Sequence, residues 1–190
     1  TLLVVGASAS LWDTLLQPWL VRVGRRAERV ALRVETHDQE QLLHRLDDGR
    51  LDLVFAYEPP ILPRHVGTRL ARVALRLASS TPGLAPGQAV GEGYVLVDWG
   101  SSFFAEHARL YPDLQPPRLA FSQGRMALDW VLSAGGCVYL PEPMLAGPLQ
   151  EGRLHLVEGA LPIQREIFGS YRGDHRHAEL LGKLVRRVKF

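Results

Sequence analysis

Ser8 and Ser10 stand in Gly6-Ala7-Ser8-Ala9-Ser10, a small-residue turn between the apolar run Leu2-Leu3-Val4-Val5 and a helical repeat of leucines. Two chemistries are open to a serine there. As a nucleophile elbow the turn lacks the second glycine of G-x-S-x-G, and His37 is the one candidate base, so hydrolysis is a weak reading. As an anion site it fits better, because a helix start leaves backbone N–H groups unpaired and a hydroxyl adds a donor beside them. Plain helix capping uses the same residue type and stays open. The pattern recurs at Asp98-Trp99-Gly100-Ser101-Ser102, where Ser101 takes the equivalent place. Gln123-Gly124-Arg125 opens a further helix, and Arg125 suits either a bidentate pair with an acidic ligand or a surface ion pair. Tyr57 and Trp99 are candidate aromatic walls, and Trp99 leaves open whether the ligand is a small acid or an aromatic compound.

Other catalytic chemistry finds little support. Cys137 falls within an apolar strand pattern, where cysteine usually packs as a small hydrophobe. His175-Arg176-His177 has i, i+2 spacing in a polar loop, more often solvated than ligating. Neither a P-loop nor G-x-G-x-x-G is present, so no cofactor or metal is expected, and no acid, base and nucleophile assemble. The single cysteine excludes an internal disulfide. No run reaches the roughly 18 apolar residues of a membrane span. The net charge of +2 conceals two basic stretches, Arg22 to Arg33 and Arg186 to Lys189. A solvated helix face or a complement to a helix dipole explains them better than nucleic-acid contact.

These turns need a scaffold that places them together. Leu2 to Val5, a helix from Leu11 to Gly24, Val30 to Val34, a helix through Leu46 stopped by Gly49, and Leu51 to Ala56 read as βαβαβ, which implies a parallel sheet with right-handed crossovers. Thr36 or Asp38 can cap the second of these helices. After a strand at Val73 to Leu77 and a loop from Ser79 to Gly93, the grammar repeats. Strand Tyr94 to Val97, helix Phe103 to Tyr111, strand Leu119 to Phe121, helix Arg125 to Ala134 and strand Cys137 to Leu140 form the second cycle. Strands at Leu154 to Val157 and Glu166 to Tyr171 and a final amphipathic helix close the chain. The fold class is α/β, with two Rossmann-like lobes. Parallel sheets bind ligands beyond the carboxyl ends of their strands, which selects the turns Ala7 to Ser10, Thr36 to Asp38 and Asp98 to Ser102.

Two stretches carry a family resemblance: Asp48-Gly49-Arg50-Leu51-Asp52-Leu53-Val54-Phe55-Ala56 early, and Gly135-Gly136-Cys137-Val138-Tyr139-Leu140-Pro141 late. Together they resemble the effector-binding domain of LysR-type transcriptional regulators, from about Leu2 to the C-terminus. The resemblance implies two lobes like a type 2 periplasmic binding protein, joined by two crossover strands near Leu75 and Leu161. Lobe I would hold residues 1–75 and 161–190, and lobe II residues 76–160. It implies a small-molecule effector in an interlobe cleft, lined by Ser8, Ser10, His37, Ser101, Gln123 and Arg125. It further implies a winged-helix DNA-binding domain before Thr1, for the chain opens directly on a strand as a fragment would. A cytoplasmic homodimer is implied as well, with a tetramer open to the intact protein, promoter DNA as the distant partner and no membrane. The surplus apolar surface at Trp12, Phe103 and Phe104 would serve the dimer. An exported solute-binding protein of a transporter is the alternative.

Overall fold

A computed structural model describes residues 1–26 and 30–188 of the chain. From the N-terminus the chain forms β1 (Leu2–Ala7), α1 (Ala9–Leu11), a π-helical turn (Trp12–Leu16), α2 (Gln17–Arg26), β2 (Ala31–Thr36), α3 (Gln39–Asp47) and β3 (Leu53–Ala56). β4 (His65–Ser79) leads to α4 (Pro86–Ala89), β5 (Tyr94–Val97), α5 (Ser101–Leu110), β6 (Leu119–Phe121), α6 (Gly124–Ala134) and β7 (Cys137–Pro141). α7 (Glu142–Gln150), β8 (His155–Leu156), β9 (Ile163–Arg172) and α8 (Ala178–Arg186) follow. The chain divides into two units, Thr1–Arg72 with Glu166–Phe190, and Val73–Arg165. It passes from one to the other within β4 and returns within β9.

In the first unit β1 pairs in parallel with both β2 and β3, and β3 pairs antiparallel with β9. The βαβαβ order expected from the alternation of apolar runs and small-residue turns is therefore present. Along β1, Leu3, Val5 and Ala7 are buried on the period of two that a strand imposes. Trp19 of α2 is fully buried and meets Phe55 edge to face at 4.9 Å. Its indole N–H donates to the Leu184 carbonyl of α8 at 3.2 Å, so the first long helix and the last share one core. The π-helical turn has a local cause in Pro18. That residue has no N–H, and its ring crowds the carbonyl of Thr14 four positions back, so the preceding turn widens.

The second unit repeats the scheme. β5 lies between β6 and β7, parallel to both, while β7 pairs antiparallel with β4, and β8 also pairs with β4. The strand order β6-β5-β7-β4 is the counterpart of β2-β1-β3-β9. Each sheet has its first strand in the middle, so the turns after the parallel strands stand side by side at one edge.

Several sequence expectations change. β4 runs from His65, well before the expected Val73, because its first half mixes charged, small and apolar residues and shows no apolar alternation. α4 occupies part of the expected loop. α7 was hidden by Pro143 and Pro148; a proline in the first helical turn sacrifices only an N–H that has no partner there. The Leu154 to Val157 strand shrinks to two residues. Asp38, not Thr36, caps α3, its carboxylate accepting from the Gln41 amide at 2.8 Å; Thr36 is spent as the last residue of β2. Trp12 contributes nothing to an outer surface: it is buried, and its indole N–H donates to the Glu35 carbonyl at 3.2 Å. Of the basic residues, Arg22, Arg25, Arg186 and Arg187 are exposed and Arg33 pairs with Glu35 at 2.9 Å. Arg29 and Lys189 lie outside the described residues.

An aromatic cluster fills the second unit behind α5. His107 is buried with its Nε2 2.9 Å from the Tyr94 hydroxyl. Tyr111 and Tyr139 share a 2.8 Å bond between hydroxyls, and Tyr139 donates to the Leu161 carbonyl at 3.1 Å. Burial holds His107 below the ordinary histidine value near 6.5, and burial does the same to His65 against the opposing pull of Asp47. Both imidazoles stay neutral to lower pH in the folded chain than in the unfolded chain, which takes up these protons below about pH 6.5. Their contribution to stability is thus complete above that value and lost as pH falls through the depressed folded values. The urea midpoint is expected to fall between about pH 7.5 and about pH 5.5, where carboxylates stay ionised. His107→Gln should flatten that slope, and a midpoint independent of pH would contradict the assignment.

Candidate functional site

Register fixes which turns meet. In the first unit Ala7 is opposite Thr36 of β2 and Phe55 of β3, so Ser8, His37 and Tyr57 follow at a common edge. The His37 amide donates to the Ala7 carbonyl at 3.2 Å and ties the β2–α3 turn to the end of β1. Ser8 is the N-cap of α1, with extended φ −66° and ψ 151°, and its carbonyl accepts from the amides of Leu11 and Trp12. Its side chain does not cap. The hydroxyl oxygen is buried and has no hydrogen-bond partner. Ser10 is buried beside it in sequence, and Tyr57 is buried at the end of β3.

His37 is engaged elsewhere. Its Nε2 lies 2.8 Å from Glu35 Oε2, and the same carboxylate also meets Arg33 and Arg45. The histidine bond, opposed in part by desolvation and helped by the arginines, holds the Glu35 carboxyl below its ordinary value. Among the described residues no base is hydrogen-bonded to the Ser8 hydroxyl.

Gln39, which the sequence did not single out, is the first residue of α3, and its Nε2 is also buried without a partner. Two unpartnered polar atoms therefore occur in neighbouring turns of one sheet edge. Arg165 also escaped the sequence reading. In β9 it is 2% exposed, although its neighbours Gln164 and Glu166 suggest an ordinary half-wet strand.

In the second unit the amide of Asp98 donates to the Phe121 carbonyl at 3.0 Å, which joins the β5–α5 turn to the end of β6. Asp98 Oδ1 accepts from the Gly100 amide at 2.9 Å and shapes the turn that begins α5. Ser101 is the exposed first residue of that helix, and Gln123 is the N-cap of α6 with no side-chain capping bond. Arg125 projects outward with its side chain 64% exposed, 3.3 Å from Asp129 one turn on.

Trp99 does not provide the expected aromatic wall. It is fully buried, its indole N–H donates to the Tyr139 carbonyl at 3.0 Å, and its ring lies where a Cβ on Gly124 would stand, 2.6 Å from Cη2. Glycine at the start of α6 is what lets the helix settle onto the indole. Through Gly124, Trp99 supports the start of α6, where Gln123 and Arg125 stand on either side of that glycine.

Cys137 and His175 are engaged within the fold. Burial pushes the Cys137 thiol up, against a weaker opposing bond from Ser79, so it stays protonated. His175 spends Nε2 on Asp52 at 2.8 Å and Nδ1 on the His177 amide at 3.1 Å. Among the described residues no group of three His, Cys, Asp or Glu is placed to hold a metal ion, and no helix is long and apolar enough to cross a membrane.

The family model for the LysR substrate binding domain matches residues 1–189. The HTH-type transcriptional regulator HdfR of Yersinia enterocolitica is 30% identical along 152 aligned residues, which cover 75% of this chain and 52% of HdfR. The chain spans about half the length of the curated relatives it matches. Among solved structures, the regulatory domain of HypT from Salmonella typhimurium superposes with a TM-score of 0.80 at 18% identity, over 97% of this chain and 93% of that one. DarR of Vibrio fischeri, solved in complex with DNA, gives 0.78 at 19% identity, over 99% of this chain and 68% of DarR. At such identities the superpositions establish the fold, a mixed α/β architecture shared with LysR regulatory domains. With the family match extending over nearly its whole length, the chain belongs to the LysR substrate-binding domains of transcriptional regulators.

Proposed function

We propose that this domain senses a small acidic metabolite and that its occupancy controls DNA binding and transcription by a longer regulator. The observation that supports the reading is the pair of buried, unpartnered atoms Ser8 Oγ and Gln39 Nε2 at adjoining turns. A buried polar group left unsatisfied costs about 1–3 kcal/mol, and a ligand that supplies the missing partner removes that cost. Gln39 Nε2 can only donate, Ser8 can donate, and helix starts add backbone N–H groups, so a carboxylate suits the set. The regulatory domains of HypT with bromide and of a single-residue mutant of OxyR2 from Vibrio vulnificus with sulfate are relatives in fold solved with anions, which agrees with this chemistry.

Ser10, His37 and Tyr57 flank that pair. Ser101, Gln123 and Arg125 form the corresponding set on the second unit. The Arg125–Asp129 pair is worth only about 0.2–0.5 kcal/mol, so an acidic ligand can draw the guanidinium away. An effector acts by binding two arrangements of the regulator with unequal affinity; equal affinity shifts nothing. In the intact cytoplasmic protein, DNA contact belongs to a segment outside this domain, as the name of HdfR and the DarR–DNA complex suggest. The domain pairs as a homodimer, with tetramers in the longer protein, and exposed Val21 and Phe104 offer apolar surface for pairing. The family match favours this reading over a transporter's solute-binding protein.

The test is a carboxylate library screened by thermal shift, with hits titrated calorimetrically. Ser8→Ala and Gln39→Leu are each expected to weaken binding about tenfold, and Arg125→Ala less. Gln39→Leu should leave the ligand-free chain as stable as before or slightly more so, because it removes an unsatisfied donor. Unchanged affinity in both Ser8→Ala and Gln39→Leu would remove the site assignment.

A further inference from the structure

The second unit has a groove of about 990 Å³ at the opposite end of its sheet from the serine turns. The first residues of β5 and β6, Tyr94 and Leu119, line it, as do the last residues of α5 and α6, Leu110 and Ala134. We propose that this groove is a second ligand site and that it takes a small organic cation, an ammonium or guanidinium compound with an apolar body.

Three independent features select that class. Two helices end at the groove, and helix C-termini carry partial negative charge on carbonyls that lack intrahelical partners. The segment connecting α5 to β6 contributes Pro112, Pro116 and Pro117 to the wall. Proline has a carbonyl and no N–H, so this stretch of backbone offers acceptors and few donors. Tyr111 and Trp130 supply aromatic surface, and Trp130 is 46% exposed. Aromatic faces attract ammonium and guanidinium groups. The charged side chains lining the groove are Glu92, Asp113 and Arg118, one negative charge in excess. The serine turns have the reverse character, rich in donors at helix starts, so one domain would hold two sites of opposite preference.

The experiment titrates the ¹⁵N-labelled 190-residue chain with phenethylammonium, the neutral 2-phenylethanol and the anionic 3-phenylpropanoate. Phenethylammonium is expected to give saturable shifts at the amides of Gly93 and Leu114 and at the Trp130 indole, with half-saturation about tenfold lower than for the alcohol. The carboxylate should leave these signals unmoved. The paired variant Glu92→Gln with Asp113→Asn, and separately Trp130→Ala, should each raise the half-saturation about tenfold; all three positions are exposed, and a matched thermal midpoint checks folding. Equal or tighter binding of the alcohol or the carboxylate would overturn the proposal. So would the absence of saturable shifts up to about 10 mM phenethylammonium, an outcome that needs no variant. Signals from Ser8 and Gln39 report the other site in the same spectra, so failure of either proposal is read separately.

Discussion

Trp99→Ala is expected to lower the stability of the chain by about 3–5 kcal/mol, read as a fall in the urea midpoint by far-UV circular dichroism. The indole is fully buried, bonds to the Tyr139 carbonyl of β7 and fills the space against Gly124. Truncation therefore leaves a cavity and takes away the hydrogen bond to the Tyr139 carbonyl. Trp99→Phe retains part of the packing and loses the N–H, so it should cost markedly less. The two variants separate volume from hydrogen bonding. A loss below about 1 kcal/mol for the alanine variant would place Trp99 in the range of ordinary surface residues and contradict its role as the base of the second unit's turns.

Gly136→Ala is the second large effect, expected to cost about 3 kcal/mol or more. Its φ of +121° is closed to alanine without strain, and a Cβ there would meet the Gly93 carbonyl oxygen at 2.4 Å. The backbone has no room to yield. The Gly136 amide donates to Ser80 Oγ and its carbonyl accepts from the Ser80 amide, both at 3.0 Å, while the next amide, Cys137, bonds to that same Gly93 carbonyl at 3.1 Å. Gly147→Ala is the internal control: this glycine lies within α7 with nothing inside 4 Å of the added atom. Alanine there should stabilise by about 0.5–1 kcal/mol. If both substitutions cost the same, strain and collision at Gly136 are not the cause.

The contrast shows where sequence reasoning reaches. The Gly135-Gly136 stop and the apolar run after it mark a helix ending in a buried strand, and β7 is present at Cys137–Pro141. Turns announce themselves through local chemistry, which is why the parallel order of β1, β2 and β3 was legible. α7 was not, because Pro143 and Pro148 read as breaks, although the first stands in the first helical turn and the second lies inside the helix, and the first half of β4 was not, because it lacks apolar alternation. At the candidate site, the positions of Ser8 and Gln123 followed from their turns. Gln39 did not, since an unpartnered buried amide is a property of the surroundings and leaves no trace in the residue's own type. Trp99 failed for a related reason: an indole beside a serine turn looks like a wall until the missing Cβ of Gly124, two elements away, shows which side the ring faces.

The double passage of the chain through β4 and β9 has a bearing on how the protein is made. The second unit, Val73–Arg165, is one unbroken stretch, whereas the first is interrupted and needs β9 and α8 to close its sheet and to supply Leu184 to Trp19. During synthesis the ribosome therefore releases everything the second unit requires while the first, though translated earlier, still lacks its last strand and helix. The half of the domain that is encoded first is the half that finishes folding last, and a premature stop near residue 165 would spare the later-encoded unit and orphan the earlier one.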